Sequence, residues 1–178
     1  ITRLVDPRDR TFDIGANIGH MTGLLAPRAG PKGRVDSFEP HPDVFPLLAA
    51  HASTWSASGK LAPIHCHRCA LSNQTGTATL YDGEDQNHNC GLGSLVGGSD
   101  RHRKFEVQTA QLDEVVGAAD HVGLVKIDVE GAELSVLRGA GRLLRERRIR
   151  DIVFEDQEAF PSVTAQFLQE VGYTVLSL

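Results

Sequence analysis

The chain has 178 residues, 40% of them hydrophobic and 23% charged, with a formal net charge of -5 and a pI near 5.9. That composition fits one globular domain with a buried core, residues 1–178, rather than two domains or a disordered tail. The acidity argues against a nucleic-acid partner. No apolar run reaches the length of a membrane span, and the first residues lack the plan of a signal peptide. Three cysteines, Cys66, Cys69 and Cys90, are too few for a disulfide scaffold, so a cytoplasmic setting is the expectation. The chain opens at Ile1 without an initiator Met and closes at Leu178 in a strand-like run, which reads as a piece of a longer protein.

Strand-like runs alternate with helix-length segments, the pattern of a mostly parallel sheet with helices on both faces. Thr11 to Ile14 is a short buried strand. Ile18 to Ala26 follows as a helix stopped by Pro27 and the Gly30-Pro31-Lys32-Gly33 turn. Arg34 to Phe38 is the second strand, Asp43 to His51 the second helix with Pro42 near its start, and Ile64 to Leu71 the third strand. Thr75 to Tyr81 and Phe105 to Thr109 alternate small and β-branched residues, a small antiparallel excursion. Between them, 83–100 is polar and rich in Gly, Asn and His, the length and composition of a lid or binding loop. The alternation resumes with a strand at Leu124 to Ile127, a helix at Glu133 to Arg147, a strand at Asp151 to Phe154, a helix at Val163 to Val171 and a last strand at Tyr173 to Leu178.

The sharpest motif is Phe12-Asp13-Ile14-Gly15-Ala16-Asn17-Ile18-Gly19, running from strand into helix. Glycines there let backbone approach a ligand, and a helix start offers free N–H groups. The spacing is not the three-glycine fingerprint of a dinucleotide site, because Asn17 and His20 stand where the second and third glycines belong. Asp13 is a poor neighbour for a pyrophosphate but suits a ligand with an amino group and a cationic sulfur. The second strand ends in Phe38-Glu39-Pro40, placing an acid about twenty residues beyond the turn, where it can take ribose hydroxyls. Coupled, the two motifs predict nucleoside binding.

A third motif, Lys126-Ile127-Asp128-Val129-Glu130-Gly131-Ala132-Glu133, leaves a strand and opens a helix. If the backbone stays extended through Glu130, a period of two puts Asp128 and Glu130 on one side at the ligand edge. Glu133 reads instead as a helix N-terminal acid.

These three segments, in order and spacing, resemble the FkbM family of methyltransferases. Supporting matches are Ala70-Leu71-Ser72, Gly93-Ser94-Leu95, Gln111-Leu112-Asp113-Glu114 and Leu137-Arg138-Gly139-Ala140, and the resemblance spans nearly the whole chain. It implies an α/β, Rossmann-like class I methyltransferase fold with S-adenosyl-L-methionine as donor and a small-molecule or carbohydrate acceptor, usually O-methylated. By resemblance Asp13, Gly15, Ala16, Asn17 and Gly19 fall on the donor-binding loop, Glu39 on the ribose-binding acid, and Ser72 and Asp128 beside the donor. Asp128 and Glu130 match acids on the active-site side. The class usually carries one more antiparallel strand after the last one here, and it is missing from this sequence.

A hydroxyl acceptor needs a route for its proton, and Asp128, Glu130 or His20 is the expected base, with Mg²⁺ held by the acids as another option. N-methylation on the same fold, and a non-catalytic nucleoside-binding relative, are the rival readings. His65-Cys66-His67-Arg68-Cys69 invites zinc, but the only second pair is His88 with Cys90, and ligands three apart on a strand face opposite ways. No metal ligand is therefore assigned. His41 and His88 are weaker pocket candidates. Arg101, Arg103 and Lys104 read as a solvated edge that can also meet an anionic acceptor.

Overall fold

The structure, a computed structural model, describes residues 1–57, 59–82, 95, 103–118, 120–156 and 158–177. After a single 3₁₀ turn at Thr2–Leu4 come β1 (Arg10–Ile14), α1 (His20–Ala29), β2 (Arg34–Phe38), α2 (Phe45–Ser56) and β3 (Ile64–His67). Then follow β4 (Ala70–Leu71), β5 (Gly76–Asp82), β6 (Arg103–Ala110) and α3 (Leu112–Val115). The chain continues through β7 (Val122–Ile127), α4 (Glu133–Arg138), α5 (Gly141–Arg145), β8 (Ile149–Phe154) and α6 (Val163–Glu170). No helix among the described residues is long and apolar enough to cross a membrane.

Five strands make one parallel sheet in the order β3-β2-β1-β7-β8. All six residues of β7 are buried, as a central strand covered on both faces requires. Alternation along the strands splits the core in two. Phe12, Ile14, Phe38, Val125 and Ile127 pack toward Leu137 and Leu143 of α4 and α5. Val35 and Leu124 pack on the other face against Leu25, Ala26 and Ala29 of α1. A second sheet, β4-β6-β5, carries the expected excursion: β5 and β6 are antiparallel, from Gly76 opposite Thr109 to Asp82 opposite Arg103.

Several boundaries differ from the sequence reading. The third strand divides, with β3 beside β2 and β4 crossing to pair with β6 in the small sheet, because the chain turns at Arg68-Cys69. Helix α1 starts at His20 and runs through Pro27 to Ala29, since a missing N–H in the last turn costs one bond only. Helix α2 runs from Phe45 to Ser56 with Pro46 in its first turn, rather than from Asp43 behind Pro42 to His51. The helix expected over 133–147 is two, broken at Gly139–Gly141. Gly139 sits so close to β4 that a Cβ would overlap the Ser72 carbonyl. No strand forms at 173–177, which pair with none of the described strands. Tyr173 is held instead by its hydroxyl, which donates to the Ile149 carbonyl (2.7 Å), and by the Arg147 guanidinium 5.0 Å from its ring. The loop read at 83–100 lies outside the described residues, apart from Leu95.

The sheet buries two carboxylates completely, Asp13 on β1 and Asp36 on β2, and the pKa of Asp36 is strongly displaced. Burial pushes its pKa up, but hydrogen bonds from His67 (3.0 Å), Arg34 (2.6 Å) and Arg10 (2.9 Å) win and hold it well below the usual carboxylate range. A folded-state pKa below the unfolded one adds stability that is fully present above about pH 4 and lost as pH falls below it. Asp36→Asn strands the cations around it and should destabilise the fold by about 3 kcal/mol or more, the scale of a broken buried pair. Urea melts at pH 7 and pH 3 check both statements. An unchanged midpoint at pH 7, or a deficit as large at pH 3 as at pH 7, contradicts them.

Candidate active site

In a parallel sheet all carboxyl ends share one edge, and ligands bind in the crevice there. A cavity of about 860 Å³, open mouth included, lies at that edge between the ends of β1, β2 and β7 and the small sheet. Gly15 forms its floor. Its φ of +72° is a left-handed conformation, and a Cβ there would overlap the backbone carbonyl of Asp128. The N–H groups of Gly15 and Ala16 both donate to the Phe38 carbonyl (3.1 and 2.9 Å), which binds the loop to the end of β2. Asn17 follows with φ +51°, its Oδ1 accepting from the Ile18 N–H at 2.6 Å, and α1 begins at His20.

Glu39 is only 8% exposed. Its Oε2 accepts from the Asn17 N–H and its Oε1 from the His41 N–H, each at 2.8 Å. A carboxylate has about four acceptor sites, so capacity for a ligand remains on both oxygens. Burial pushes the Glu39 pKa above its ordinary value, against the downward pull of the two N–H bonds. Phe38, Pro40, Ala70, Leu71 and Leu80 supply an apolar wall beside it.

Asp128, Val129 and Glu130, beside Gly15 at the end of the neighbouring strand, also line the cavity. The period-of-two reasoning does not survive: β7 ends at Ile127, and Glu130 has φ +49°, so the backbone is not extended to that point. Both carboxylates nevertheless line the cavity, because the chain turns over its rim. The Asp128 side chain is 41% exposed. Glu133 does the structural work expected of it, its Oε1 accepting from the N–H groups of Val129 (3.3 Å) and Gly131 (3.2 Å).

Of the residues singled out from sequence, the structure brings Gly15, Asn17, Glu39, Asp128 and Glu130 to the cavity wall. Asp13, Ala16, Gly19, His20 and Ser72 are not on it. Asp13 is fully buried beneath the loop, accepting from Thr22 Oγ1 at 2.6 Å. Ala16 is buried, and Gly19 packs against Leu48 and Trp55. His20 is exposed at the first turn of α1, and the Ser72 hydroxyl donates to Asn73 (3.3 Å). His41, a minor candidate, does line the cavity and is 2% exposed. Its Nδ1 accepts the Asp43 N–H at 3.1 Å, which puts the neutral ring's proton on Nε2, 3.4 Å from Asp82 Oδ2.

Sequence reasoning gave no role to Lys126. Its ammonium is buried beneath the Gly15 loop, behind the cavity wall, and donates to the Gly15 carbonyl at 2.8 Å. The signal was there: a lone cation in a strand of otherwise apolar residues. Cys66 and Cys69 are free thiols whose pKa values burial pushes up, and His67 binds Asp36 and stacks on Phe38 at 4.4 Å. No group of three or more His, Cys, Asp or Glu stands together as metal ligands among the described residues.

A parallel sheet of this order with a crevice at its carboxyl edge defines the Rossmann-like α/β class, and solved methyltransferases share it. Methyltransferase FkbM from Methylobacillus flagellatus KT superposes with a TM-score of 0.55 at 21% identity, covering 81% of this chain and 32% of that one. Precorrin-6y C5,15-methyltransferase from Geobacter metallireducens gives 0.53 at 15% identity, covering 97% and 67%. The Methyltransferase FkbM domain matches residues 13–175, and the chain belongs to that family.

Among curated relatives, Methyltransferase 1 of Beauveria bassiana is 30% identical over 150 residues, 71% of this chain and 56% of that protein. The 31-O-demethyl-FK506 methyltransferase FkbM of Streptomyces tacrolimicus is 29% identical over 201 residues, 96% and 75%. Hexuronic acid methyltransferase AglP of Haloferax volcanii is 30% identical over 144 residues, 77% and 52%. The chain thus spans about half the length of the first and third of these relatives.

Proposed function

We propose that the chain carries the donor site and acid machinery of an S-adenosylmethionine-dependent methyltransferase that O-methylates a small-molecule or carbohydrate acceptor. The observation that carries this reading is that Glu39, the Gly15 loop, Asp128 and Glu130 all line one cavity, with Glu39 bonded to that loop. The residues present suit the donor. A buried carboxylate with spare lone pairs suits ribose hydroxyls, the apolar wall of Phe38, Leu71 and Leu80 suits a purine, and acids suit a sulfonium. The relatives' names, a demethyl-FK506 methyltransferase and a hexuronic acid methyltransferase, support natural-product and sugar acceptors.

When bound, S-adenosylmethionine supplies an electrophilic methyl group on a sulfur that leaves as a neutral thioether. The chain's own part is positional and acid–base. Glu39 and the Gly15 loop fix the nucleoside, the apolar wall excludes water from its base, and Asp128 accepts the proton released by the acceptor hydroxyl, with Glu130 alongside. His20, outside the cavity wall, is the weaker base. Incubation with methyl-deuterated donor and candidate acceptors, read by mass spectrometry, tests the reaction. A labelled ether on a natural-product or sugar hydroxyl is expected, and a labelled amine would point to N-methylation instead.

Glu39→Ala removes the ribose acid and should weaken S-adenosylhomocysteine binding by about 1.5–3 kcal/mol, the worth of hydrogen bonds to a charged group. The raised pKa of Glu39 also means that affinity should fall on acidification at a higher pH than an ordinary carboxylate would give, since protonation removes acceptor capacity. Calorimetry across pH checks both. Wild-type affinity in a folded Glu39→Ala variant removes Glu39 from the site.

A further inference from the structure

Three polar side chains run in a row across the sheet under α1: Lys126 is the ladder neighbour of Asp13, and Asp13 of Ser37. Thr22 of α1 closes the row from above, 2.6 Å from Asp13 and 2.7 Å from Ser37. Lys126 is only 7% exposed in a strand whose other residues are apolar. Burying an ammonium costs several kcal/mol before its partners repay it, and an apolar residue of similar length would suit the strand at least as well. A counter-ion for Asp13 is one reason to keep the charge. The Lys126 Nζ lies 3.1 Å from Asp13 Oδ1, an ion pair without hydrogen-bond geometry.

The remaining contacts of that ammonium point elsewhere. It donates to the carbonyls of Gly15 (2.8 Å) and Ile14 (3.5 Å) and stands 3.5 Å from Asp128 Oδ2. Its best hydrogen bond therefore goes to the cavity floor, not to the carboxylate that would neutralise it. The same two loops meet twice more, through the Asp128 N–H on the Ile14 carbonyl (3.1 Å) and through the missing Cβ of Gly15. We propose that Lys126 is a positioning residue that pins the Gly15 loop to the Asp128 loop, so that both walls of the pocket are held in one frame before a ligand arrives. This rests on the donor-site reading given above. A left-handed Gly15 has few conformational restraints of its own, and without the pin the loop would sample geometries that misplace Asn17 and its bond to Glu39.

Lys126→Met alone leaves Asp13 buried without a counter-charge and can fail to fold. The informative pair is Asp13→Asn and Asp13→Asn/Lys126→Met. In both, the need to neutralise Asp13 is gone and the Thr22 contact is retained in size; the double variant loses the pin and, with it, a buried ammonium that Asp13→Asn leaves facing Asp128 at 3.5 Å. S-adenosylhomocysteine, whose sulfur is uncharged, is the probe in calorimetry. The double variant should bind it about tenfold more weakly than Asp13→Asn. Amide exchange at residues 15–19 should be faster although the melting temperature and the protection of β1, β2 and β7 are no lower, since the double variant also sheds a buried charge. Equal affinity and equal exchange in the two variants would show that Lys126 only neutralises Asp13 and would overturn the proposal. A wild-type chain that binds no S-adenosylhomocysteine would remove the donor-site reading and this inference with it, an outcome distinct from equal binding by both variants.

Discussion

Asp128→Asn should lower the rate of methyl transfer by about 10²–10⁴, the usual worth of a positioned base, while leaving S-adenosylhomocysteine affinity nearly intact. The substitution keeps the side chain's size and removes its charge, and Asp128 is partly exposed on the cavity wall rather than locked in the core. Its carbonyl and N–H, which join the two loops, are backbone groups and survive the change. Single-turnover kinetics on the acceptor identified by mass spectrometry measures the rate, and calorimetry the affinity. If the Asp128–Glu130 pair works by holding a divalent cation, activity should disappear with chelator and return with Mg²⁺. Normal turnover in the variant, with or without chelator, would make Asp128 structural and send the proton to Glu130, His20 or water.

Gly15→Ala should weaken S-adenosylhomocysteine binding by about a hundredfold or more, a larger effect than the loss of any one hydrogen bond in the site. Two costs add. An alanine held at a φ of +72° is disfavoured by about 1–2 kcal/mol. The new Cβ also overlaps the Asp128 carbonyl, so either the Gly15 loop or the Asp128 loop must move away. Movement of that kind breaks the Lys126 bond to Gly15 and the bonds from Gly15 and Ala16 to Phe38, on which the cavity floor depends. Calorimetry with a thermal melt separates the site effect from global unfolding. Wild-type affinity in the alanine variant would show that the loop is free to adapt.

The placement of Gly15 and Glu39 on one cavity was legible because their signals are local. Gly15 and Glu39 sit at strand ends, and a strand end in a parallel sheet is a place that sequence order alone defines. Strand β2 came out with its boundaries intact for the same reason, being framed by Gly33 and Pro40. The division of β3 from β4 was not legible, because Cys69, Ala70 and Leu71 are as apolar in one sheet as in the other. The break between α4 and α5 was legible and overlooked: Gly139 and Gly141 are two apart in an otherwise helical pattern. Lys126 is the instructive miss. Its identity was in the motif, but its partners, Asp13 and Gly15, are more than a hundred residues away. Only the register of β1 against β7 brings them together. His41 entered the cavity by the same kind of tertiary accident, through the small sheet that carries Asp82 and Phe105 against it.

The claim on which everything else depends is that the cavity at the carboxyl edge is a site for the nucleoside of S-adenosylmethionine and not for a dinucleotide. Parallel calorimetric titrations of the wild-type chain with S-adenosylhomocysteine and with NAD test it. The account predicts saturable one-to-one binding of S-adenosylhomocysteine and no heat with NAD, since Asn17 and His20 stand where a dinucleotide site needs glycines. Binding of NAD, or no binding of S-adenosylhomocysteine by a chain that melts cooperatively, would contradict it.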